Sequence, residues 1–156
     1  MNWKHGAAAL ILLMVIGIFA TSSSSAEEAD FETATVHLSP DCGCCIQHAQ
    51  YLERAGVDVE VIEHSNIELN QLWDEKEVLD DYRSCHLTEL GDEGPDVKGH
   101  VPVDVFNQVV EEQPETDVIT LPGMPQGSPG MPGTQSQEWT FYNIQDGEVT
   151  GEYTTR

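Results

Sequence analysis

The sequence has few positively charged residues. It contains six Lys and Arg residues among 156, against 28 Asp and Glu residues. All 28 acidic residues and five of the six basic ones lie after Ala26, so residues 27–156 carry a formal net charge of −23. So negative a surface repels nucleic acid and anionic lipid, which argues against both as partners. The acidic residues are spread through every segment, and this pattern favours adaptation to high salt over a dedicated cation site.

Other absences narrow the function further. The chain has no G-x-S-x-G, Walker A, H-E-x-x-H or dinucleotide-binding pattern, so the common hydrolase and nucleotide-binding signatures are missing. Cysteine is scarce, with four residues, and three of them are Cys42, Cys44 and Cys45. Three cysteines so close together cannot connect distant parts of a fold, whereas a structural disulfide framework would spread them out. Their spacing indicates a functional site.

The first 26 residues have the layout of a secretory signal. Lys4 and His5 precede an apolar run over 6–20, and Ser24-Ser25-Ala26 offers small residues for cleavage. The run is short for a bilayer span, which needs about 20 apolar residues, so an uncleaved anchor is the less favoured possibility. Both possibilities predict that residues 27–156 fold outside the cytoplasm, in a periplasm-like space or on the outer face of the cytoplasmic membrane. Only an uncleaved N-terminal segment would then contact the membrane.

Hydrophobic periodicity predicts one α/β domain over 27–156 with a mixed sheet. Alternating residues indicate strands, apolar residues at helical spacing indicate helices, and Ser65 with Glu68 forms a capping box. The predicted elements are strand 33–39, helix 45–56, strand 57–64, a helix from 65 to about Tyr82, strand 84–90, a short return strand from 97 and a helix from Pro102 to Pro114. This β-α-β-α-β-β-α order fits a layered α/β fold.

The last 40 residues have a different character. Proline and glycine recur too often in 121–137 for a helix or strand, and so long a connector in a compact domain is functional or disordered. The segment 138–155 predicts a β-hairpin around Asp146-Gly147.

Cys42 and Cys45 form a C-x-x-C pair at the predicted strand-to-helix turn. Backbone N–H groups at a helix start stabilise thiolates, so this setting suits both thiol–disulfide oxidoreductases and thiolate metal sites. In the first case Cys42 is the catalytic nucleophile and Cys45 the resolving thiol. Cys44 favours the second case, because a redox pair needs two sulfurs and a third thiolate makes a better soft-metal site. A structural disulfide with spare thiols and a Cys₃His-like zinc site are also compatible with this spacing.

Further candidate ligands lie downstream. Cys85 precedes a strand that should start at the same end of the sheet as the cysteine turn, so we expect it to reach the cluster. His86 points to the opposite face of that strand, so its role is left open. His100 lies in a loop near the same end.

Two methionines and three histidines complete the set. Met124 and Met131 repeat the frame P-G-M-P seven residues apart, and a thioether suits Cu(I). His37, His48 and His64 are predicted to be structural or solvated.

Four segments together resemble a known family. They are "SPDCGCC", "SCHLTEL", "KGHVP" and "LPGMPQGSPGMPG", in this order within about residues 35–142. They resemble the small exported CopG-like metal-binding proteins, a family of unknown function. The resemblance implies a thioredoxin-like fold, copper handling and resistance in the cell envelope, and a cysteine cluster for Cu(I) with copper or thiol redox chemistry. The residues that match are Cys42, Cys44, Cys45, Cys85, His86, His100, Met124 and Met131.

The function predicted from the sequence is an exported Cu(I)-binding protein. The four cysteines would hold one or more copper ions, exchanged with a copper-transfer or redox partner protein. The alternative function is a thiol–disulfide or copper oxidoreductase that uses Cys42 and Cys45, and zinc is the less favoured metal.

Overall fold

The computed structural model describes residues 27–156. The predicted signal segment, 1–26, lies outside the described residues and stays a prediction. Within 27–156, no helix is both long and apolar enough to cross a membrane.

Seven strands and three helices make up the described chain. The strands are β1 (Thr33–Leu38), β2 (Asp58–Glu63), β3 (His86–Glu89), β4 (Asp96–Lys98), β5 (Val118–Thr120), β6 (Thr140–Gln145) and β7 (Glu148–Thr155). The helices are α1 (Gly43–Arg54), α2 (Asn66–Glu75) and α3 (Val103–Glu112), with short 3₁₀ turns at Asp80–Tyr82 and Gly91–Glu93.

The strands form one mixed sheet in the order β2-β1-β3-β4-β5-β6-β7. The pairs β1–β2 and β4–β5 are parallel and the other pairs are antiparallel. The predicted mixed sheet and C-terminal hairpin are confirmed. Asp146 and Gly147 have φ angles of 51° and 76°, the left-handed values that a tight two-residue hairpin turn requires.

Two predictions about elements were wrong. The helix predicted to reach Tyr82 ends at Glu75, because Glu77 has a left-handed φ of 55° that no helix continues through. Strand β5 was not predicted. Its three residues are all buried, so they lack the alternation of a half-exposed strand, and they directly precede the proline-rich segment.

The helices cover both faces of the sheet. Helices α1 and α3 pack on one face, where Leu52 and Phe106 are fully buried with Val36 of β1. Helix α2 packs on the other face, where Trp73 belongs to a smaller cluster with Leu87. Because neighbouring residues of a strand face opposite sides, β3 directs His86 toward α1 and Leu87 toward α2.

Candidate metal centre

The C-x-x-C pair lies where β1 passes into α1. Cys42 is the N-cap residue of α1, and Cys45 lies in its first turn. The two form a disulfide, with Cα atoms 5.3 Å apart. The predicted strand-to-helix setting is confirmed. Cys45 is fully buried and Cys42 is 9% exposed, so solvent has little access to the pair.

Cys44 is a free thiol beside the disulfide. Its Sγ lies 3.4 Å from Sγ of Cys42 and 3.9 Å from Sδ of Met124. Met124 belongs to the first P-G-M-P repeat, 80 residues away along the chain. The fold therefore brings a thioether to the cysteines, and both are donor types that suit soft metals.

Cys85 lies at the same end of the sheet. Strand β3 runs antiparallel to β1, with His86 opposite Leu38, and the backbone N–H of Ser39 donates to the carbonyl of Cys85 at 3.1 Å. Burial raises the pKa of the Cys85 thiol, and the charge of Cys44 raises it further. Cys85 thus lies at the end of the sheet where the sequence predicted it, although the groups of donor atoms within 4.8 Å of one another in residues 27–156 do not include its sulfur.

A small cavity of about 130 Å³ adjoins Cys85. Met124, His86, His100 and Lys98 also line it. Lys98 is 2% exposed and its Nζ lies 5.8 Å from the centre of the Tyr82 ring. Burial lowers the pKa of Lys98 to about 8. Sulfur and imidazole donors therefore line the same cavity, next to the amine of Lys98.

Three histidines pack together under the cysteines. The ring centre of His48 lies 5.0 Å from that of His86 and 5.5 Å from that of His100, and the ring centres of His86 and His100 are 4.9 Å apart. One donor atom each from Cys45, His86 and His100 lies within 4.8 Å of the other two. The structure thus places His86, whose role was open, on the same side as Cys45.

Sequence reasoning missed His48. Its position three residues after Cys45 is the signal that could have found it, because residues at i and i+3 share a helix face. It was predicted to be structural or solvated, and because it is fully buried only the structural alternative describes it.

Backbone carbonyls set the orientation of all three rings. Nε2 of His48 lies 2.9 Å from the carbonyl of Val101, and Nε2 of His86 lies 2.9 Å from that of Gly99. Nδ1 of His100 lies 2.6 Å from the carbonyl of Pro129. A carbonyl only accepts, so each of these nitrogens donates, and the other ring nitrogen keeps its lone pair. Nδ1 of His48 and Nε2 of His100 are buried without hydrogen-bond partners. Metal-ligating histidines have this arrangement.

Burial keeps these imidazoles neutral. It lowers the pKa of His48 to about 4 and the pKa of His86 well below its ordinary value. It also lowers the pKa of His100. A metal ligand must be unprotonated, and these side chains meet that condition at neutral pH.

Comparisons with known proteins agree with the motifs. The family described as "Protein of unknown function, DUF411" matches residues 82–131, which include Cys85, His86, His100 and both methionines. Two solved structures, named copper resistance protein copG form 1 and form 2, are each 27% identical to this chain, with a TM-score of 0.62. Each match covers 80% of this chain, and 98% and 100% of those chains. The resemblance to the CopG-like proteins is confirmed. No curated protein matches the chain.

The second P-G-M-P repeat packs against α1. A Cβ on Gly130 would lie 2.6 Å from the carbonyl oxygen of Cys44 and 2.9 Å from the backbone nitrogen of His48, so only glycine fits. Met131 follows it, and its backbone N–H donates to the carbonyl of Ser128 at 2.8 Å. Within 27–156 we find no contact between its sulfur and a cysteine like that of Met124, so Met131 stays a predicted ligand.

Proposed function

We propose that this chain is an exported Cu(I)-binding protein for copper handling. Cys42, Cys44, Cys45 and Cys85 supply thiolates, and His86, His100 and Met124 complete the donor set. One observation carries the proposal. Sγ of Cys44 lies 3.4 Å from a second cysteine sulfur and 3.9 Å from a methionine sulfur, so soft donors from two distant segments converge. The name of the similar solved structures, copper resistance protein, supports the same role.

The donor set suits more than one copper ion. Two groups of candidate metal ligands share Cys45. One group also contains Cys42 and Cys44, and the other also contains His86 and His100. A thiolate at Cys45 would bridge an ion in each group. This full site requires reduction of the Cys42–Cys45 disulfide, which takes up two electrons and two protons and yields two thiols. In the disulfide form, Cys44, Cys85 and Met124 remain as soft donors.

The fold and the location belong to the same proposal. The segment β2-β1-β3-β4 has one parallel and two antiparallel pairs and is followed by α3, which supports a thioredoxin-like fold. The signal pattern of residues 1–26 supports export, which would bring the protein to copper outside the cytoplasm. A copper-transfer or redox protein is the proposed partner.

Anaerobic titration of the reduced protein with Cu(I), against a competing chelator, tests the metal site. We expect tight uptake, and we expect Cys44→Ser to weaken it at least tenfold because the central sulfur is lost. Ile46→Ala is the matched control, since Ile46 is an exposed residue of the same helix and has no donor atom. An absence of tight uptake, or equal uptake by Cys44→Ser and the parent, would overturn the proposal. Anaerobic metal analysis of the native protein separates copper from zinc.

The disulfide itself favours a second candidate function, a thiol–disulfide oxidoreductase. A Cys42 thiolate would attack a substrate disulfide and release one substrate thiolate. Cys45 would then attack the mixed disulfide, release the second substrate thiol and regenerate the Cys42–Cys45 bond seen here. Cys42 is only 9% exposed, which is little access for such a nucleophile. Reductase activity of metal-free Cys44→Ser protein would favour this function over copper binding.

A further inference from the structure

Two histidines outside the sulfur cluster meet on the face of the sheet that α2 covers. His37 lies in β1, and His64 directly follows β2, which runs parallel to β1. The backbone N–H of His64 donates to the carbonyl of Leu38 at 2.9 Å. Nδ1 of His37 lies 2.8 Å from Nε2 of His64, and the ring centres are 5.1 Å apart, so the two nitrogens face each other. This is a hydrogen-bond distance, and one proton lies between the rings.

A carboxylate on β3 determines which ring donates that proton. Nε2 of His37 is buried and lies 3.3 Å from Oε2 of Glu89. A carboxylate only accepts, so it favours a proton on Nε2 of His37 and leaves the lone pair on Nδ1. Nε2 of His64 therefore donates to Nδ1 of His37. Because His64 is half-exposed, its own Nδ1 can take a further proton from solvent while this contact stays intact.

The charges around the pair favour one such proton. The charged residues come from four elements of the fold and the cap of α2. They are Glu60 and Glu63 of β2, Glu68 and Lys76 at the two ends of α2, Glu89 of β3, and Asp96 and Lys98 of β4. Nζ of Lys76 lies 2.7 Å from Oε1 of Glu89 and 2.7 Å from Oδ2 of Asp96, which offset its charge. Carboxylates outnumber amines, so a single positive charge on the pair is stabilised.

The two carboxylates nearest the rings stay ionised where histidine changes its charge. Hydrogen bonds from Ser65, and to a smaller extent the charge of His64, lower the pKa of Glu68. Burial alone would raise the pKa of Glu89, but Lys76 and His37 together lower it below its ordinary value. Both side chains therefore remain negative between about pH 8 and about pH 5.

A second proton is incompatible with the contact. It would bind Nδ1 of His37, and that N–H would then face the N–H of His64 across 2.8 Å with no acceptor between them. Both rings would also be positively charged, and like charges this close repel. His37 is buried in the sheet and His64 is half-exposed, so His64 is the ring that moves away.

The position of His64 connects the pair to the start of α2. The next residue, Ser65, is the N-cap of α2 and forms a capping box with Glu68. The hydroxyl of Ser39, which follows β1, donates to Oδ1 of Asn66 at 3.4 Å. The paired rings and this contact hold the first turn of α2 to the end of β1. Displacement of His64 removes the stronger of these two contacts.

We propose that His37 and His64 form a two-step pH switch that releases the start of α2 in acid. The first proton binds Nδ1 of His64 with the rings in contact, and the second binds Nδ1 of His37 after His64 has moved away. The open state binds this second proton and the closed pair does not, so opening is favoured as pH falls. The switch uses neither a metal nor a cysteine, so it does not rest on the proposed Cu(I) function.

Nuclear magnetic resonance of the full, metal-free chain in its disulfide form tests the switch between about pH 8 and about pH 5. We expect the ring signals of His64 to shift first and those of His37 to shift at a pH lower by more than about 1 unit. In the second step, amide exchange protection at Glu68 and Leu69 should fall about tenfold or more. Protection at Phe106 of α3 should stay constant, which separates local opening from global unfolding.

His64→Gln is the decisive variant, because its amide can donate to Nδ1 of His37 and takes up no proton. Protection at Glu68 and Leu69 should then stay within about twofold over the same pH range. Glu63→Gln is the matched control, since it removes an exposed acid next to His64 and leaves both rings, and it should keep both steps.

Two results would overturn the switch. One is a single step in which the rings of His37 and His64 shift together in the parent chain. The other is an equal loss of protection at the start of α2 in His64→Gln and in the parent. The first result needs no variant, so it decides the matter even if a substitution prevents folding. Neither result involves Cu(I), so this test and that of the proposed function fail separately.

Discussion

The tetrapeptide P-G-M-P occurs twice in this chain, at 122–125 and 129–132, and the two copies have different surroundings. In the first copy, a Cβ on Gly123 would meet no atom within 4 Å, and Met124 is 49% exposed with its sulfur near Cys44. In the second copy, Gly130 lies against the backbone of α1. The first copy brings a sulfur atom to Cys44, and the second holds the loop against α1.

Hydrogen bonds connect the two copies to each other and to the histidines. The hydroxyl of Ser128, just before the second copy, donates to the carbonyl of Pro125 in the first at 2.7 Å. The carbonyl of Pro129 accepts from His100 at 2.6 Å. The same four residues therefore have different roles in the two copies. The difference arises because the rest of the fold surrounds each copy with different neighbours.

The largest loss of folding stability is expected when the glycine of either copy is replaced by alanine. Both have left-handed φ angles, 78° at Gly123 and 84° at Gly130, so Gly123→Ala should cost about 1–2 kcal/mol from backbone strain alone. Gly130→Ala adds a collision with the backbone of α1, and we expect a total loss of about 3 kcal/mol or more. Urea unfolding measures both. Equal losses in the two variants would show that the close approach to α1 does not hold the second copy.

A smaller loss of folding stability is expected when the pH is lowered, because the second copy covers the buried histidine cluster. The pKa of His48 falls from 6.5 when unfolded to about 4 when folded. Between these values the unfolded chain binds the extra proton, so stability is complete above pH 6.5 and falls as pH falls toward 4. For His48 alone, the loss from neutral pH to pH 5 is about 2 kcal/mol.

Urea unfolding of the metal-free protein at pH 7 and pH 5 measures this loss. His48→Gln is the comparison, because it removes the titrating group and keeps a side-chain donor for Val101. Its stability should change less between the two pH values. A pH dependence identical to that of the parent would contradict the expected protonation of His48.

The smallest change in free energy, that of Cu(I) binding, is expected when either methionine is replaced by leucine. Met124→Leu removes a sulfur 3.9 Å from Cys44, and we expect Cu(I) affinity to fall about tenfold, which is about 1.4 kcal/mol. Met131→Leu has similar size and should leave the affinity within twofold. Chelator competition on the reduced protein measures both. A larger loss in Met131→Leu than in Met124→Leu would reverse the roles assigned to the two copies.

Local patterns in the sequence predicted much of the fold and half of the site. The cysteine turn followed from a strand pattern that changes to a helix pattern at Cys42, and the position of Cys85 followed from the expected order of the strands. His48 and β5 were missed for one physical reason: both are buried, and burial depends on neighbours far away in the chain. The pair of His37 and His64 was missed because its contact exists only through the register of two parallel strands.

The sequence by itself determined which candidate donor atoms the chain contains, the strand-to-helix turn that holds three cysteines, and the acidic surface, because these depend on residue type and local spacing. Only the tertiary structure decided which donors meet. It placed the sulfur of Met124 beside the sulfur of Cys44, directed His86 to the same side as Cys45, and joined two histidines across β1 and β2. Long-range packing set these distances, since each contact joins segments that local sequence leaves independent.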